Sequence, residues 1–406
     1  MTLNASSSQQ TPGRPQGAVL LLGSSLTIMG SVMVAPIIPK LGAEFGPVES
    51  RADLLIPLAM TGPALAIALF APLAGWLADR LGRKRLLILA TLCYAVLGML
   101  PALLQSLPAI TLTRLVFGLA EAAVMTCCVT LIADYWQGSR RLAYVNGQVV
   151  TISLVGSLFY VVGGALGEHS WRTPFYLYLL PLLLVPFMLR LLWEPSRTSV
   201  QSHVDEGPQH SAPLPLLVNY LLVFAGMVLS VVVPIQSPLL LVQLGVTSST
   251  LIGASAGLGL LATLGGPLLW PLLRRGWGLA GCNAVLLACM GSGLWLLVNA
   301  RSYEAVLVAV SIHGLGVGML VPNTMAPVMG ALSARARGRG MGGYTGCLYL
   351  GQFASPLVVA VLLPFAGDLH LAIRALALAA LVAALGWAAI GLLRRKAALP
   401  TPSRSS

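Results

Sequence analysis

The stretch GWLADRLGRKRLL, Gly75 to Leu87, places one acid and four bases within seven residues, Asp79 to Arg85, between two long apolar runs. The run before it covers 54–78 and the run after it covers 85–105. A helix needs about 20 apolar residues to cross a hydrocarbon layer roughly 30 Å thick, so each run suffices and the charged stretch is a loop between two crossings. Working outward in both directions, the pattern repeats over 17–39, 110–133, 142–167, 172–193, 214–242, 249–272, 277–299, 304–330, 341–365 and 370–393, giving twelve spans in all.

The whole composition agrees with a lipid environment. Of 406 residues 57% are hydrophobic and only 9% charged, with a mean hydropathy of +0.86. A soluble chain would carry roughly a quarter charged residues. The first span is too long for a secretory signal and is followed by EFGPVES, not by a small-residue cleavage site, so it is expected to stay as a helix. The polar or Pro/Ser-rich tails, 1–15 and 397–406, are expected to be mobile.

Short basic loops stay on the cytoplasmic side. With the N-terminus inside, eighteen of the 24 basic residues fall on that side, five (Lys40, Arg51, Arg172, Arg301, Arg374) fall outside, and Arg114 alone lies in the membrane. The net charge of +12 is therefore a topology signal, and no nucleic-acid partner is expected. All six cysteines lie within spans without a ligand-like pairing, which predicts packing roles, no metal and no cofactor.

The longest polar interruption, EPSRTSVQSHVDEGPQHSAP at 194–213, separates six spans from six. It predicts an N-terminal bundle over 1–193, a cytoplasmic linker over 194–213 and a C-terminal bundle over 214–406. The halves align weakly at an offset of about 195 residues: PLAGWLADRLG (72–82) on PLLWPLLRRGW (267–277), and Gly118 on Gly314. Such internal symmetry marks carriers built from repeated bundles, with substrate bound near the midplane.

The loop Gly75, Asp79, Arg80, Gly82, Arg83 and Lys84 closely resembles the signature of the major facilitator superfamily. Arg114 followed by Gly118, and Asp134 in ADYW (133–136), resemble its fourth-span pattern. WRTPFYLY (171–178) and MGGYTGCLYLGQFASP (341–356) look most like bacterial drug and sugar efflux permeases. The fifth span, GSLFYVVGG (156–164), has the glycines of the antiporter pattern and lacks its proline. The resemblance implies an all-α membrane protein of twelve helices in two six-helix bundles related by a pseudo-two-fold axis. It further implies a monomer in a bacterial inner membrane with both termini cytoplasmic, and no enzyme. The expected activity is proton-coupled export of a small organic molecule (drug-like, metabolite or metallophore) by alternating access. The alternative is uptake of an organic anion or siderophore. Gly75 is expected to permit close helix approach, and the loop with Asp134 to latch the bundles on the cytoplasmic side.

Inside the membrane, Arg114, Gly118 and Glu121 share one helix face. Glu121 lies about 10 Å deeper than Arg114 at 1.5 Å per residue. The other eleven acids fall in loops, tails or helix ends, which leaves Glu121 as the proton carrier by elimination. Loss of hydration disfavours its charged form, and an intramembrane ionisable group is a functional hypothesis by default. Arg114 either tunes a nearby acid or binds an anionic group. His313, in VSIHGLGVG, is the ionisable group at similar depth in the second half; it joins the expected coupling set, and it and Glu121 are expected to face one cavity. Asn146, Gln148, Tyr160, Gln236, Asn323, Tyr344, Tyr349 and Gln352 are expected to line the cavity, about half of them touching water or substrate.

Overall fold

A computed structural model describes residues 11–195, 212–333 and 336–397. The helices are α1 (Arg14–Val32), α2 (Ile38–Phe45), α3 (Ala52–Leu81), α4 (Arg83–Met99), α5 (Leu107–Tyr135), α6 (Gly138–Leu166), α7 (Val185–Leu191), α8 (Pro213–Gln243), α9 (Ser249–Ala262), α10 (Gly265–Val298), α11 (Tyr303–Ala331), α12 (Arg337–Ala366) and α13 (Leu369–Ala397). A long 3-10 segment, Thr173–Leu184, leads into α7. Among the described residues, eleven stretches are long and apolar enough to cross a membrane. One of them, Ser249–Val298, has 50 residues, or about 75 Å of helix at 1.5 Å per residue, far more than one crossing requires. It breaks at Gly278 (φ 66°) into two passages, which gives the twelve expected from the sequence.

One end of the molecule holds the starts of α1, α4, α6, α8 and α12, and is called here the terminal end; the other is the far end. Most of the tails and linker lies outside the described residues, but their described ends are ordered: α1 begins at Arg14, Glu194 accepts backbone N–H groups of α4, α8 begins at Pro213 and α13 runs to Ala397. At the far end α5, α9 and α11 each start on a serine, Ser106, Ser248 and Ser302, whose hydroxyl accepts the backbone N–H three residues on. Such caps satisfy donors that a helix start leaves unpaired.

The buried residues form two clusters. One gathers side chains mainly from α1 to α7, the other from α8 to α13. Lipid offers little hydrophobic drive for helices to associate, so close backbone approach at small residues carries much of the packing. Gly118 lies against Pro63 and Ala66, and Gly314 against Gly259 and Ala262, at the same place in each half. Gly82 (φ 94°) and Gly278 (φ 66°) make the equivalent turns between the second and third crossings of each half. Both glycine pairs give an offset of 196, so the loop alignment shifts by one residue from the sequence reading.

Between the halves, α6 meets α9 toward the far end. A Cβ on Gly164 would strike the Ser249 carbonyl and one on Gly253 the Tyr160 carbonyl; Ser157 donates to Gly257 O at 2.8 Å. Glu168, just beyond α6, accepts from Ser248 Oγ (2.5 Å) and the Thr250 N–H (2.9 Å) at the start of α9. Toward the terminal end, residues 137–146 are exposed apart from Tyr144.

Candidate functional site

α1 stops being helical halfway through its crossing. Pro36 has no N–H to give, and the Val34 N–H turns to Ser31 O at 3.3 Å, so the Gly30 carbonyl loses the partner that a continuing helix would supply. Arg114 fills the gap: its Nη2 donates to Gly30 O and its Nε to Ala59 O at 3.3 Å. The guanidinium also lies over the rings of Phe117 (4.3 Å to the centroid) and Tyr178 (5.3 Å). Tyr178 Oη donates to the Met29 and Gly30 carbonyls at 3.0 and 3.1 Å. A cation thus stands at the negative end of a broken helix, the arrangement the helix dipole favours.

Glu121 is fourteen residues from either end of α5 and 2% exposed. It packs against the same residue of α1: a Cβ on Gly30 would sit 3.0 Å from both carboxylate oxygens. Gly30 therefore separates the two charged groups of α5, one at its carbonyl and one at its Cα. Among the described residues the ion pairs join Arg83 to Asp79 and Asp134, and Arg172 to Glu44. Arg114 and Glu121 are not so joined.

A central cavity of about 150 Å³ lies between the halves, with a wall drawn from α1, α3, α6, α8, α9, α11 and α12. Its polar lining is Ser31, Thr61, Tyr160, Ser230, Thr263, His313 and Gln352. His313 faces it as expected, whereas Glu121 stands behind α1, whose Ile28 and Ser31 form the wall on either side of Gly30. The expectation that both ionisable groups share one cavity is corrected accordingly: the bend of α1 interposes its backbone.

Of the eight polar side chains expected at the cavity, Tyr160 and Gln352 line it. Asn146 is exposed on α6. Gln148 donates to Ser24 Oγ at 2.6 Å, binding α6 to α1. Gln236 is buried within α8. Asn323 accepts from Trp270 Nε1 at 2.9 Å and donates to Asn283 Oδ1 at 2.5 Å. Tyr344 pairs with Thr324 Oγ1 at 2.8 Å, and Tyr349 reaches across the halves to Met125 Sδ at 2.9 Å. These groups are mostly interhelical links. The small hydroxyls Ser31, Thr61, Ser230 and Thr263 went unpredicted, because serine and threonine in apolar helices usually bond their own backbone.

The charged loop is built as a junction within the first half. Arg83 bridges Asp79 (3.6 Å) and Asp134. Glu194 accepts the backbone N–H groups of Arg83 (2.5 Å) and Lys84 (3.0 Å), capping α4, and Lys84 Nζ donates to Leu189 O at 2.8 Å. Arg80 lies over the Trp76 ring at 4.2 Å. These contacts tie α4 to α3, to the end of α5 and to α7 and the residues after it. Gly82 is required by its positive φ. Gly75 has nothing within 4 Å of a notional Cβ, so its expected role in close approach is not realised here.

Twelve crossings in two halves around a central cavity define the class: a membrane carrier. The chain belongs to the Major Facilitator Superfamily, whose family model matches residues 20–292. It is 27% identical over 306 residues to the 3-(3-hydroxy-phenyl)propionate transporter of Escherichia coli (strain K12), covering 71% of this chain and 73% of that one. It is 30% identical over 193 residues to the gallate transporter of Pseudomonas putida (44% of this chain, 38% of the relative). Over 195 residues it is 25% identical to quinolone resistance protein NorA of Staphylococcus aureus (47% and 48%). In fold it resembles a crystal structure of the D-xylose-proton symporter, with a TM-score of 0.71 at 16% identity over 92% of this chain and 97% of that one.

Proposed function

We propose that this chain exports a compact, mostly apolar organic molecule by alternating access, coupled to protons through Glu121. The observation that carries the reading is the Gly30 junction. A carboxyl at the middle of α5 and a fixed guanidinium meet the same residue of α1, and Ile28 and Ser31 close to it line the cavity. With Glu121 ionised the local charge sums to zero; with Glu121 protonated it is +1. A buried charge matters far more in this low dielectric than in water. Protonation therefore changes the forces on the broken segment of α1 and, through Ile28 and Ser31, on the cavity wall. Substrate enters while Glu121 is ionised, a proton from the far side favours release, and the protonated carrier resets. The basic-residue distribution supports termini in the cytoplasm of a bacterium.

Among the described residues, no lysine, arginine or carboxylate lines the cavity, which favours an uncharged cargo over an organic anion. A second reading, uptake of an aromatic acid, is favoured by the names of two relatives, the 3-(3-hydroxy-phenyl)propionate and gallate transporters.

The test is reconstitution in liposomes with a pH dye inside. Substrate-dependent proton movement is expected in the parent and is expected to be lost in Glu121→Gln. Equal proton movement in the variant removes Glu121 from the mechanism. Substrate accumulation on the side the protons enter reverses the direction in favour of uptake.

A further inference from the structure

Glu121 has three tyrosines around it, and they dispose of their hydroxyl hydrogens differently. Tyr94 of α4, Tyr178 of the 3-10 segment and Tyr349 of α12 all lie within electrostatic reach of its carboxyl, as does Arg114. Tyr94 donates to Leu26 O at 2.6 Å, and Tyr178 to the Met29 and Gly30 carbonyls. Arg114 is committed to the Gly30 and Ala59 carbonyls. These groups are fixed to backbone of α1 and α3. Tyr349 is the one that comes from the second half, and its Oη donates to a side chain instead, Met125 Sδ at 2.9 Å.

A thioether is a weak acceptor. Met125 follows Glu121 by four residues on α5, a spacing that sets two side chains side by side on one helix face, about 5–6 Å apart at Cβ. A better acceptor than the sulfur therefore stands one turn away whenever Glu121 is ionised, because hydrogen bonds to a charged group are about twice as strong as neutral ones. Protonation of the carboxyl removes that advantage. Tyr349 and Met125 are both only half-buried, so dense packing does not hold the hydroxyl on the sulfur. Three residues further along α12, Gln352 lines the central cavity. Whatever moves Tyr349 thus moves the helix turn that carries part of the cavity wall.

We propose that Tyr349 is the positioning residue through which the second half senses Glu121: its hydroxyl donates to the ionised carboxylate and passes to Met125 Sδ when the carboxyl is protonated. The hydroxyl keeps its own hydrogen throughout, and only its acceptor changes. The Met125 contact is accordingly the arrangement of the neutral carboxyl. This inference rests on the proposed proton-carrying role of Glu121 and adds the link that joins it, across the two halves, to α12.

The experiment follows the purified full chain from pH 9 to pH 5 with two probes. Methyl NMR of labelled methionine reads Met125, its signal among the 13 methionines assigned by Met125→Leu. Infrared difference spectra of the parent against Glu121→Gln read the protonated carboxyl of Glu121. In the parent the Met125 methyl signal is expected to shift with pH in step with that carboxyl band. Tyr349→Phe, which keeps the ring and removes the donor, is expected to lose most of the shift, and Glu121→Gln all of it, with the other methionine signals in place as the check on folding. A Met125 signal that stays still while the carboxyl band titrates overturns the proposal in the parent alone, and leaves Glu121 as the proton carrier. A full shift that survives in Tyr349→Phe overturns it as well, since the charge then acts on Met125 without the hydroxyl. A carboxyl band that does not titrate removes the proton role of Glu121, and this link with it.

Discussion

α5 and α11 occupy the same place in the two halves, and their glycines coincide, Gly118 with Gly314. Their polar cargo differs. α5 carries Arg114 and Glu121, both buried and both directed at Gly30; α11 carries His313, whose ring forms part of the cavity wall. One scaffold, used twice, thus places charge behind the wall in one half and an imidazole in the wall in the other. The loops repeat the contrast. Gly82 leads into the Arg83, Asp134 and Glu194 junction, whereas Gly278 follows Arg274 and Arg275, with no acid in the loop. In that half a neutral chain, Trp270, Asn323 and Asn283, links α10 to α11. The lesson is that the repeat specifies backbone geometry, while the chemistry is distributed unequally.

The largest effect is expected from breaking the first-half charge site. Arg114→Leu leaves the Gly30 and Ala59 carbonyls without their charged donor, and two such bonds are worth at least about 3 kcal/mol. A large fall in the thermal unfolding midpoint in detergent is expected. Arg114→Lys should rescue it only in part, because an ammonium lacks the planar fork that reaches two carbonyls at once. A lysine variant as stable as the parent contradicts the helix-end role.

Next come the glycines that the halves share. A Cβ at Gly118 would lie 2.6 Å from Pro63 backbone atoms, and one at Gly314 would lie 2.2 Å from Gly259 O. Both contacts are to backbone, so the helices must move apart. Gly118→Ala and Gly314→Ala should each cost about 1–3 kcal/mol, as overpacking does. Gly75→Ala, with open space around it, should stay within about 0.5 kcal/mol of the parent. Equal losses at all three positions would mean that the packing symmetry is not what the glycines serve.

A smaller effect separates the loops. Arg83 and Asp134 are partly exposed, at 23% and 17%, so Asp134→Asn is expected to cost about 1 kcal/mol after screening. The loss should shrink in high salt, measured as the same unfolding midpoint. Asn323→Asp, which introduces an acid into the uncharged network of the other half, should show no such salt rescue.

The sequence made the crossings plain because hydropathy over twenty residues is a strong, local signal. The charged loop was legible for the same reason, and so was Glu121, a lone carboxyl at the centre of a span. What stayed hidden depends on rotation and on neighbours. Gln148 and Asn323 point at other helices and Asn146 points outward, and nothing in one helix's own pattern says which. The break in α1 was concealed by an apolar run that continues through Pro36, and the first crossing extends to Phe45 instead of ending near residue 39. That break decides why Arg114 is where it is and why Glu121 faces α1 instead of the cavity.

The smallest expected effect lies at the far end, where the two halves touch through Glu168. Its carboxylate accepts from Ser248 and from Thr250 at the start of α9, and these hydrogen bonds hold it down to about 2, below the ordinary 4.5. A carboxyl lowered in the closed form contributes to closure fully above its ordinary value. That contribution fades as the pH falls below 4.5 and is gone below about 2. Between pH 7 and 5 the far-end contact should therefore be insensitive to pH, so any pH response of the carrier in that window arises elsewhere, with Glu121 the candidate. Spin labels on the far ends of α6 and α9 should report a constant distance from pH 7 to 5 and a broadened one near pH 3. Glu168→Gln, which keeps an acceptor but loses the charge facing the helix start, should broaden it slightly at pH 7. The group is largely solvated, so the change should be small and salt-dependent. A far-end distance that shifts between pH 7 and 5 in the parent, and no longer does so in Glu168→Gln, would move the proton-sensitive element from the centre of α5 to this contact.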